Sequence, residues 1–346
     1  MLPSYLKKPM IPFLIILLSA VLLSACGSGN NAATPSSSST SAESGTTSQD
    51  TTESAAPAAN EPSESTVRTY KDALGRSVEI PAAPKRIVAH YYAAEMKALD
   101  FAVVGTNFLN AKLTLTDEQL QGVEDIGGEG IVPNLEKTLS LNPDLIIVPD
   151  FLQASDLEAL SKIAPTVAIA YGDDAFTRLG VLGDLLGQPE KAEKWIADYT
   201  KKAEEKRQLV QSSIKDGETA AAFILHSNKQ FYVYNKQRLG PTLYDAFGFA
   251  IPPKVAELFK DKPDELWAAI SLEKLPDYAA DRVFLVIQSD TEEAKKATEE
   301  LIQGPIWKNL PAVKNGKAYV VESRWAMNDP LTLDWLLDEM VSLLAP

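Results

Sequence analysis

The middle of the chain contains a stretch with the pattern of one long helix, QPEKAEKWIADYTKKAEEKRQLVQSSIK, residues 188–215. Pro189 stands where a first helical turn tolerates proline, and Trp195, Tyr199 and Ala203 recur at helical spacing. Gly217 follows the run, as glycine often follows a helix end. About 25 residues at a rise of about 1.5 Å give about 37 Å, which predicts a rigid spacer.

On both sides of this stretch, short apolar runs alternate with amphipathic segments, which is typical of parallel α/β sheets. We therefore predict two Rossmann-like α/β lobes with parallel sheets, joined by a single long helix, with a ligand cleft between the lobes. A surface helix inside one large domain is the alternative, and it is disfavoured because the alternation restarts after residue 216. The predicted boundaries are 67–187 for the first lobe, 188–216 for the interlobe helix and 217–346 for the second lobe. Predicted strands are 86–90, 102–106, 144–150, 166–170, 221–226, 231–234, 282–288 and 318–322, and predicted helices are 93–100, 116–121, 134–140, 154–163, 241–247, 292–302 and 331–344.

The N-terminus has the pattern of an export signal. Lys7 and Lys8 precede an apolar run that ends in LSAC, residues 23–26, and Cys26 is the only cysteine of the chain. LSAC followed by glycine resembles the bacterial lipobox, so residues 1–25 are predicted to be a signal peptide and Cys26 to be lipidated. A conventional secretory signal is the alternative. Residues 26–66 are rich in Gly, Ser, Thr and Ala and predict a disordered tether. The body would then be held at the outer face of the cell membrane.

Composition and charge exclude several classes of function. The formal net charge of −14 opposes binding to nucleic acid. The sequence has no GxSxG, HExxH, P-loop or strand-linked GxGxxG motif, so an enzyme is disfavoured. Two histidines are too few for a typical direct metal site, which wants three or four converging ligands. A bound metal would therefore bring an organic chelator with it.

Candidate ligand contacts follow the predicted strands, because ligands of open parallel sheets lie outside the carboxyl ends of the strands. His90 ends the strand at 86–90 and His226 ends the strand at 221–226, which are matching positions in the two lobes. We expect both histidines to donate hydrogen bonds to a ligand. The other candidates identified by this position are Tyr91, Phe108, Tyr234, Arg238, Arg324 and Trp325.

Several motifs resemble those of the iron-siderophore substrate-binding lipoproteins of bacterial ABC importers, over about residues 68–346. They are KDALGRSVEIPAAPKRIVA (71–89), NLEKTLSLNPDLIIV (134–148), KIAPTVAI (162–169), ISLEKLPDYAADRVFLV (270–286) and IWKNLPAVKNGKAYVV (306–321). The resemblance implies two Rossmann-like lobes joined by one helix and a monomer that delivers a ferric siderophore to the transmembrane subunits of an ABC permease. It implies neither catalysis nor a resident cofactor, since Fe(III) would be bound only as the siderophore chelate.

The second half is most similar to ferric-hydroxamate binders of Gram-positive bacteria. FYVYNKQRLGPTLYDAFGF (231–249) resembles a segment in which Arg238 matches the ligand-contacting arginine, and RWAMNDPLTLDW (324–335) resembles an aromatic segment to which Trp325 contributes. Ala326 and Met327 stand where that family usually has aromatics. Lys236, with Arg178 and Arg324, would favour a more anionic chelate of carboxylate or catecholate type. The hydroxamate and the anionic chelate both remain candidates here.

Two glutamates are expected to bind the permease. Glu95 lies at the head of a predicted helix in AAEMKALD, and Glu273 lies in ISLEKL after a possible capping Ser271. The resemblance implies one exposed glutamate per lobe that docks on permease arginines, whereas the local alternative is complementing a helix dipole. Other functions open for the chain are a cobalamin or haem binder of the same fold and, remotely, an anchored α/β enzyme.

Overall fold

Three strands of the parallel sheet in the first lobe are almost entirely apolar and are buried on both faces: β3 (Ile87–Ala89), β6 (Leu145–Pro149) and β7 (Thr166–Ile169). Strands that helices cover on each side must be buried in this way. The computed structural model describes residues 66–128, 131–226, 230–263, 265–287 and 292–345, within one unit that spans Pro62–Pro346. The signal peptide predicted for residues 1–25, Cys26 and most of the predicted tether lie outside the described residues.

The first lobe consists of a hairpin, a five-stranded sheet and the helices that cover it. The sheet has the order β5-β4-β3-β6-β7, and all its pairings are parallel. The antiparallel hairpin is β1 (Val67–Lys71) and β2 (Ser77–Pro81), and the sheet strands are β3 (Ile87–Ala89), β4 (Val103–Thr106), β5 (Glu124–Asp125), β6 (Leu145–Pro149) and β7 (Thr166–Ile169). The helices are α1 (Ala93–Ala98), α2 (Phe108–Ala111), α3 (Leu135–Ser140), α4 (Ala154–Ser161) and α5 (Ala175–Leu185).

One helix predicted in this lobe is wrong. Residues 116–121 form turns, although Thr116 and Gln119 make reciprocal side-chain to backbone hydrogen bonds of 2.9 and 3.3 Å that are typical of a helix start. Gly122 follows with φ +80, a left-handed conformation that ends the turn before a helix can propagate. The capping signal is therefore real, but it acts on a single turn.

The long helix is confirmed. Helix α6 covers Pro189–Val210, 22 residues, and is followed by a 3-10 turn over Gln211–Ser213. Its buried side chains are Ala192, Tyr199, Ala203 and Val210. Tyr199 and Ala203 are among those that the helical spacing selects, while Trp195 is only partly buried. Among the helices in the described part of the chain, none is both long enough and apolar enough to cross a bilayer.

The second lobe has a mixed sheet, which differs from the parallel one predicted. The order is β10-β9-β8-β11-β12; β8, β11 and β12 run parallel, while β9 is antiparallel to both β8 and β10. Only residues 226–230 connect β8 to β9, and a parallel crossover needs a dozen or more residues. The strands are β8 (Ala220–Leu225), β9 (Phe231–Tyr234), β10 (Trp267–Ile270), β11 (Arg282–Ile287) and β12 (Ala318–Val321).

The helices of this lobe include a π-helical segment over Pro241–Ala246, where the pattern predicts a helix. The α-helices are α7 (Pro253–Leu258), α8 (Leu275–Tyr278), α9 (Glu292–Gln303), α10 (Pro305–Lys308), α11 (Pro311–Lys314) and α12 (Pro330–Leu344). Two 3-10 turns, Leu272–Lys274 and Ser323–Ala326, complete the lobe.

Helix α12 provides a second connection between the lobes, because it contacts both of them. Its buried face joins the core of the second lobe with α6, yet its first turn contacts the first lobe. Asp329 caps α12 by accepting from the Thr332 N–H at 2.9 Å, and its Oδ2 also accepts from Thr114 Oγ1 of the first lobe at 3.0 Å. The lobes therefore share a buried polar contact beside the interlobe helix.

We expect Asp329→Ala to lower the free energy of unfolding by about 1–2 kcal/mol, because α12 loses its cap. Thr114→Val should cost about 1 kcal/mol, because it removes one hydrogen bond and leaves the cap intact. Chemical denaturation of both variants measures the difference. Equal costs for the two variants would show that the cap contributes nothing beyond the contact between lobes.

Candidate ligand-binding cleft

A pocket lies between the lobes, at the carboxyl ends of the central strands. The pocket is partly open to solvent, and its cavity volume is about 30 Å³. Residues from both lobes line it: Tyr91, Tyr92, Glu95, Asn110, Tyr171 and Arg178 from the first, and Gln237, Arg238, Leu266, Met327, Asn328 and Asp329 from the second. This is the position at which the topology predicts a ligand.

The first-lobe wall of the cleft is aromatic. Tyr91, Phe151 and Tyr171 follow β3, β6 and β7, and their rings contact one another edge to face with centroids 5.1–6.1 Å apart. Phe151 is 42% exposed, a large fraction for a phenylalanine in a folded lobe. Tyr91 and Tyr171 line the pocket and Phe151 packs against both of them, so this wall presents apolar faces and two phenol hydroxyls to whatever occupies the cleft.

The second-lobe wall centres on Arg238. Its guanidinium carbon lies 5.6 Å from the centroid of the Trp267 ring, and Nη1 donates to the Ala326 carbonyl at 3.1 Å. Its Nε has no hydrogen-bond partner among the described residues. The backbone of Arg238 has φ +62, a left-handed conformation that costs energy for a side chain of this size. The loop after β9 thus holds a cation at the pocket with one N–H group unused.

The two histidines lie in different surroundings. His90 is fully buried, packs edge to face against Tyr91, and lies 3.5 Å from Asn107 Nδ2 through Nε2. Burial lowers its pKa to about 4. The ligand contact expected for His90 is wrong, because its ring belongs to the interior beneath the cleft. His226 packs against Tyr232 and Trp267 and does not line the pocket, and burial also lowers its pKa. A ligand contact by His226 stays a prediction.

Arg178 and Glu95 form a buried ion pair at the base of the cleft. Arg178 Nε donates to Glu95 Oε1 at 2.8 Å, and their side chains are only 5% and 3% exposed. Burial raises the pKa of Glu95, and the Arg178 guanidinium opposes that shift. Both expectations for this pair need correction. Glu95 is not exposed and cannot dock on another protein without breaking the pair, and Arg178 is not a free cation.

Two other expected cations lie outside the pocket. The Arg324 guanidinium carbon lies 4.2 Å from the centroid of the Trp335 ring, so it covers α12 of its own lobe. Lys236 is exposed, and its charge acts on the Asp245 carboxyl by lowering its pKa against the effect of burial. Neither residue lines the cleft. The direct contact expected for each of them is therefore absent from the described pocket.

The expected aromatic contacts are packing residues instead. Trp325 is 4% exposed and packs between Phe284 and Trp335, and Tyr234 is 2% exposed and packs against Trp267. Phe108 packs on a small cluster beside α12. Tyr234 is the last residue of β9, Phe108 begins α2, and Trp325 lies in the 3-10 turn after β12. A place near the end of a strand therefore did not predict that these side chains contact a ligand.

Sequence reasoning missed Trp267 and Gln237. Trp267 supplies the aromatic face beneath Arg238, and its strand β10 has no apolar alternation strong enough to predict it. Gln237 Nε2 donates to the Gly172 carbonyl of the first lobe at 3.1 Å, which makes it a direct bridge across the cleft. In the sequence, only the position of Gln237 next to Arg238 indicates that Gln237 lies at the cleft.

Metal ligands do not converge in the part of the chain that the structure describes. No group of three or more His, Cys, Asp or Glu side chains there could hold a metal ion. The pocket instead combines aromatic faces, hydrogen-bonding amides and one arginine with an unused donor. These are the features of a site for a small organic ligand.

The fold and cleft thus define a two-lobe binding protein with a rigid interlobe helix. The chain belongs to the periplasmic binding protein family, whose sequence pattern matches residues 111–324. It is 34% identical to the iron(3+)-hydroxamate-binding protein FhuD of Bacillus subtilis over 296 residues, 83% of this chain and 89% of that protein. It is 31% identical to YxeB, another iron(3+)-hydroxamate-binding protein of Bacillus subtilis, over 84% of this chain and 88% of that one.

Solved structures give the same relationship. The FhuD protein from S. pseudintermedius superposes with a TM-score of 0.68 at 28% identity, over 81% of this chain and 99% of that chain. A periplasmic binding protein of a Fep/Fec-like ferrichrome ABC transporter from Bacillus subtilis gives a TM-score of 0.66 at 34% identity, over 80% and 99%. The two-lobe fold predicted from the sequence and the family resemblance are confirmed.

The buried imidazole of His90 predicts a pH dependence of stability. Its folded pKa of about 4 is below the unfolded value of 6.5, so the unfolded state binds the proton first. Stability is full above pH 6.5 and falls by about 3 kcal/mol as the pH drops to about 4. His90→Leu should flatten this part of the profile in chemical denaturation at pH 7 to 4. His226→Leu is measured beside it, because burial lowers the pKa of His226 as well. An equal or greater flattening in His226→Leu would contradict the assignment to His90.

Proposed function

We propose that the protein captures a ferric siderophore of hydroxamate type in this cleft and delivers it to the transmembrane subunits of an ABC permease. No bond is made or broken, and iron is cargo inside the chelate. The relatives named as iron(3+)-hydroxamate-binding proteins, which match over more than four-fifths of this chain, support the ligand class.

The observation that carries the proposal is Arg238, which lines an aromatic pocket and whose buried Nε–H has no hydrogen-bond partner among the described residues. A ferric chelate presents negatively polarised oxygens around the iron, and a guanidinium donates charge-assisted hydrogen bonds to such oxygens. Its organic backbone presents apolar edges, which Tyr91 and Tyr171 can cover. One arginine and a ring-lined wall match both parts of the ligand.

The charges of the pocket favour a hydroxamate over a carboxylate or catecholate. Three singly charged hydroxamates neutralise ferric iron, whereas three doubly charged catecholates leave a strongly anionic chelate. Of the expected cations, Arg178 is paired with Glu95, while Arg324 and Lys236 lie outside the pocket. Arg238 therefore remains as the cation for the chelate, which suits a ligand of low net charge.

The cleft gives the alternative functions less support than it gives the siderophore. A haem binder would need an axial His or Tyr at the cleft; His90 is fully buried and His226 does not line the pocket, whereas Tyr91 and Tyr92 do. No contact in the described cleft favours cobalamin over a ferric chelate. We therefore retain the siderophore.

Delivery to a permease requires the protein to stay near the membrane. We propose that lipidated Cys26 anchors a monomer at the outer face of the cell membrane of a Gram-positive bacterium, with the following residues as tether. The lipobox-like LSAC supports the anchor. The name of one relative, a probable siderophore-binding lipoprotein of Bacillus subtilis that is 29% identical, agrees with it.

Docking on the permease is proposed for Glu273 and, in place of Glu95, for Glu136. The tetrapeptides NLEK, residues 134–137, and SLEK, residues 271–274, recur one per lobe. Both glutamates are exposed, and each lies in the first turn of a short helical segment. This repeat is visible in the sequence and predicts exposed docking glutamates better than a position at the start of a helix does. The latter criterion had identified Glu95, which is buried.

Arg238→Gln should weaken the binding of ferrichrome by roughly tenfold to a hundredfold, because a charge-assisted hydrogen bond is lost. Arg324→Gln is the matched control, and it should leave the affinity within about twofold because Arg324 stacks outside the pocket. Quenching of intrinsic tryptophan fluorescence during titration measures both affinities. Equal losses in the two variants would reject Arg238 as the ligand contact.

Reversing both docking charges, Glu136→Lys with Glu273→Lys, should abolish iron uptake by cells while leaving ferrichrome affinity unchanged. Glu193→Lys, on the exposed face of α6, is a control that should preserve uptake. Uptake of radiolabelled ferrichrome and fluorescence titration are measured on the same variants. Intact uptake by the double variant, or weakened affinity, would contradict the docking role.

A further inference from the structure

The ion pair at the base of the cleft lies where it can act on a ligand. Glu95, on α1, and Arg178, on α5, both line the pocket although each side chain is almost fully buried. Charges in such surroundings are poorly screened by water and salt, so their fields reach further than those of surface residues. The pair therefore contributes to the electrostatic environment of any bound chelate.

Arg178 is held in place by three partners. Besides the bond to Glu95, its Nη1 donates to the Asp173 carbonyl at 2.8 Å, and its Nη2 donates to the Asn328 carbonyl of the second lobe. The two carbonyls are neutral, so Glu95 alone among these partners offsets the positive charge. The guanidinium cannot swing away from the pocket without losing all of these bonds.

The other carboxylate of the pocket is already committed. Asp329 accepts from Thr332 and Thr114 while capping α12. By contrast, Glu95 Oε2 has no hydrogen-bond partner among the described residues. Without the charge of Glu95, two arginines of the pocket, Arg178 and Arg238, would share one committed carboxylate. Glu95 is thus the group that keeps the lining of the cleft from carrying a net positive charge.

We propose that Glu95 is a specificity-determining residue, which keeps the affinity for anionic ferric chelates low by neutralising Arg178. This inference rests on the proposed siderophore function and adds to it the residue that selects the charge class. A chelate of low net charge loses little from the presence of Glu95. A tris(catecholate) meets a carboxylate where it would otherwise meet an unshielded guanidinium.

The direct test is Glu95→Gln, which keeps the size of the side chain and an oxygen for Arg178 Nε. We expect this variant to bind ferric enterobactin, an anionic tris(catecholate), at least about tenfold more tightly than the unaltered protein does. Its affinity for ferrichrome, a neutral chelate, should change by less than about threefold. Glu193→Gln removes the same charge from the surface and should change neither affinity. Fluorescence titration gives the four ratios.

A second variant tests the same claim from the opposite side. Arg178→Gln removes the guanidinium, and burial then protonates Glu95, so this variant should bind ferric enterobactin no more tightly than the unaltered protein does, unlike Glu95→Gln. The double variant Glu95→Gln with Arg178→Gln should show the preference of the unaltered protein. Thermal unfolding without ligand establishes that each variant is folded, and Glu95→Met replaces Glu95→Gln where the latter does not fold.

An unchanged ratio in Glu95→Gln, an equal gain in Arg178→Gln, or equal shifts in the Glu193→Gln control would overturn the inference while leaving the siderophore function intact. Failure of the unaltered protein to bind ferrichrome or ferrioxamine B would instead reject the proposed function itself. The two failures are therefore distinguishable in one set of titrations.

Discussion

Helix α6 restricts the movement of the two lobes relative to each other, because it joins them as one continuous helix of 22 residues. A helix has no soft dihedral angle at which two lobes can swing far apart, because each bend breaks backbone hydrogen bonds. The contacts at the start of α12 add to this constraint through Thr114, Asp329 and the Asn328 carbonyl. The lobes are therefore held close to each other, and recognition depends on the side chains that line the cleft.

The two walls of that cleft offer different chemistry. The first lobe contributes rings that follow three neighbouring strands, and the second contributes Arg238 supported by Trp267. Beneath them, Glu95 and Arg178 cancel each other within the protein. A buried ion pair of this kind is weak evidence for stability, because desolvation of both groups offsets their attraction. Because the pair lies at the pocket, its effect on the local charge explains its presence better than a contribution to stability does.

The sequence predicts the framework well because the framework follows local patterns. The continuous apolar runs of β6 and β8 and the helical spacing of α6 are visible without knowledge of any distant contact. The mixed second sheet was also within reach, since five residues between β8 and β9 do not permit a parallel crossover.

The site was harder to predict, because it depends on pairs that are remote in sequence. Arg238 was found from its place after a strand and from the family resemblance. Glu95 and Arg178 are 83 positions apart, and nothing local indicates that one neutralises the other. The matching positions of the two histidines suggested that both contact a ligand. The structure shows that His90 is buried beneath Tyr91, and this could not be predicted without knowing which rings lie next to each other.

The most direct measurement is a crystal structure of the protein with ferrichrome, with anomalous diffraction recorded at the iron absorption edge. The account predicts one iron peak between the lobes, near Arg238 and the rings of Tyr91 and Tyr171, with every iron ligand supplied by the siderophore. An iron peak outside the cleft, or one coordinated by protein side chains, would contradict it.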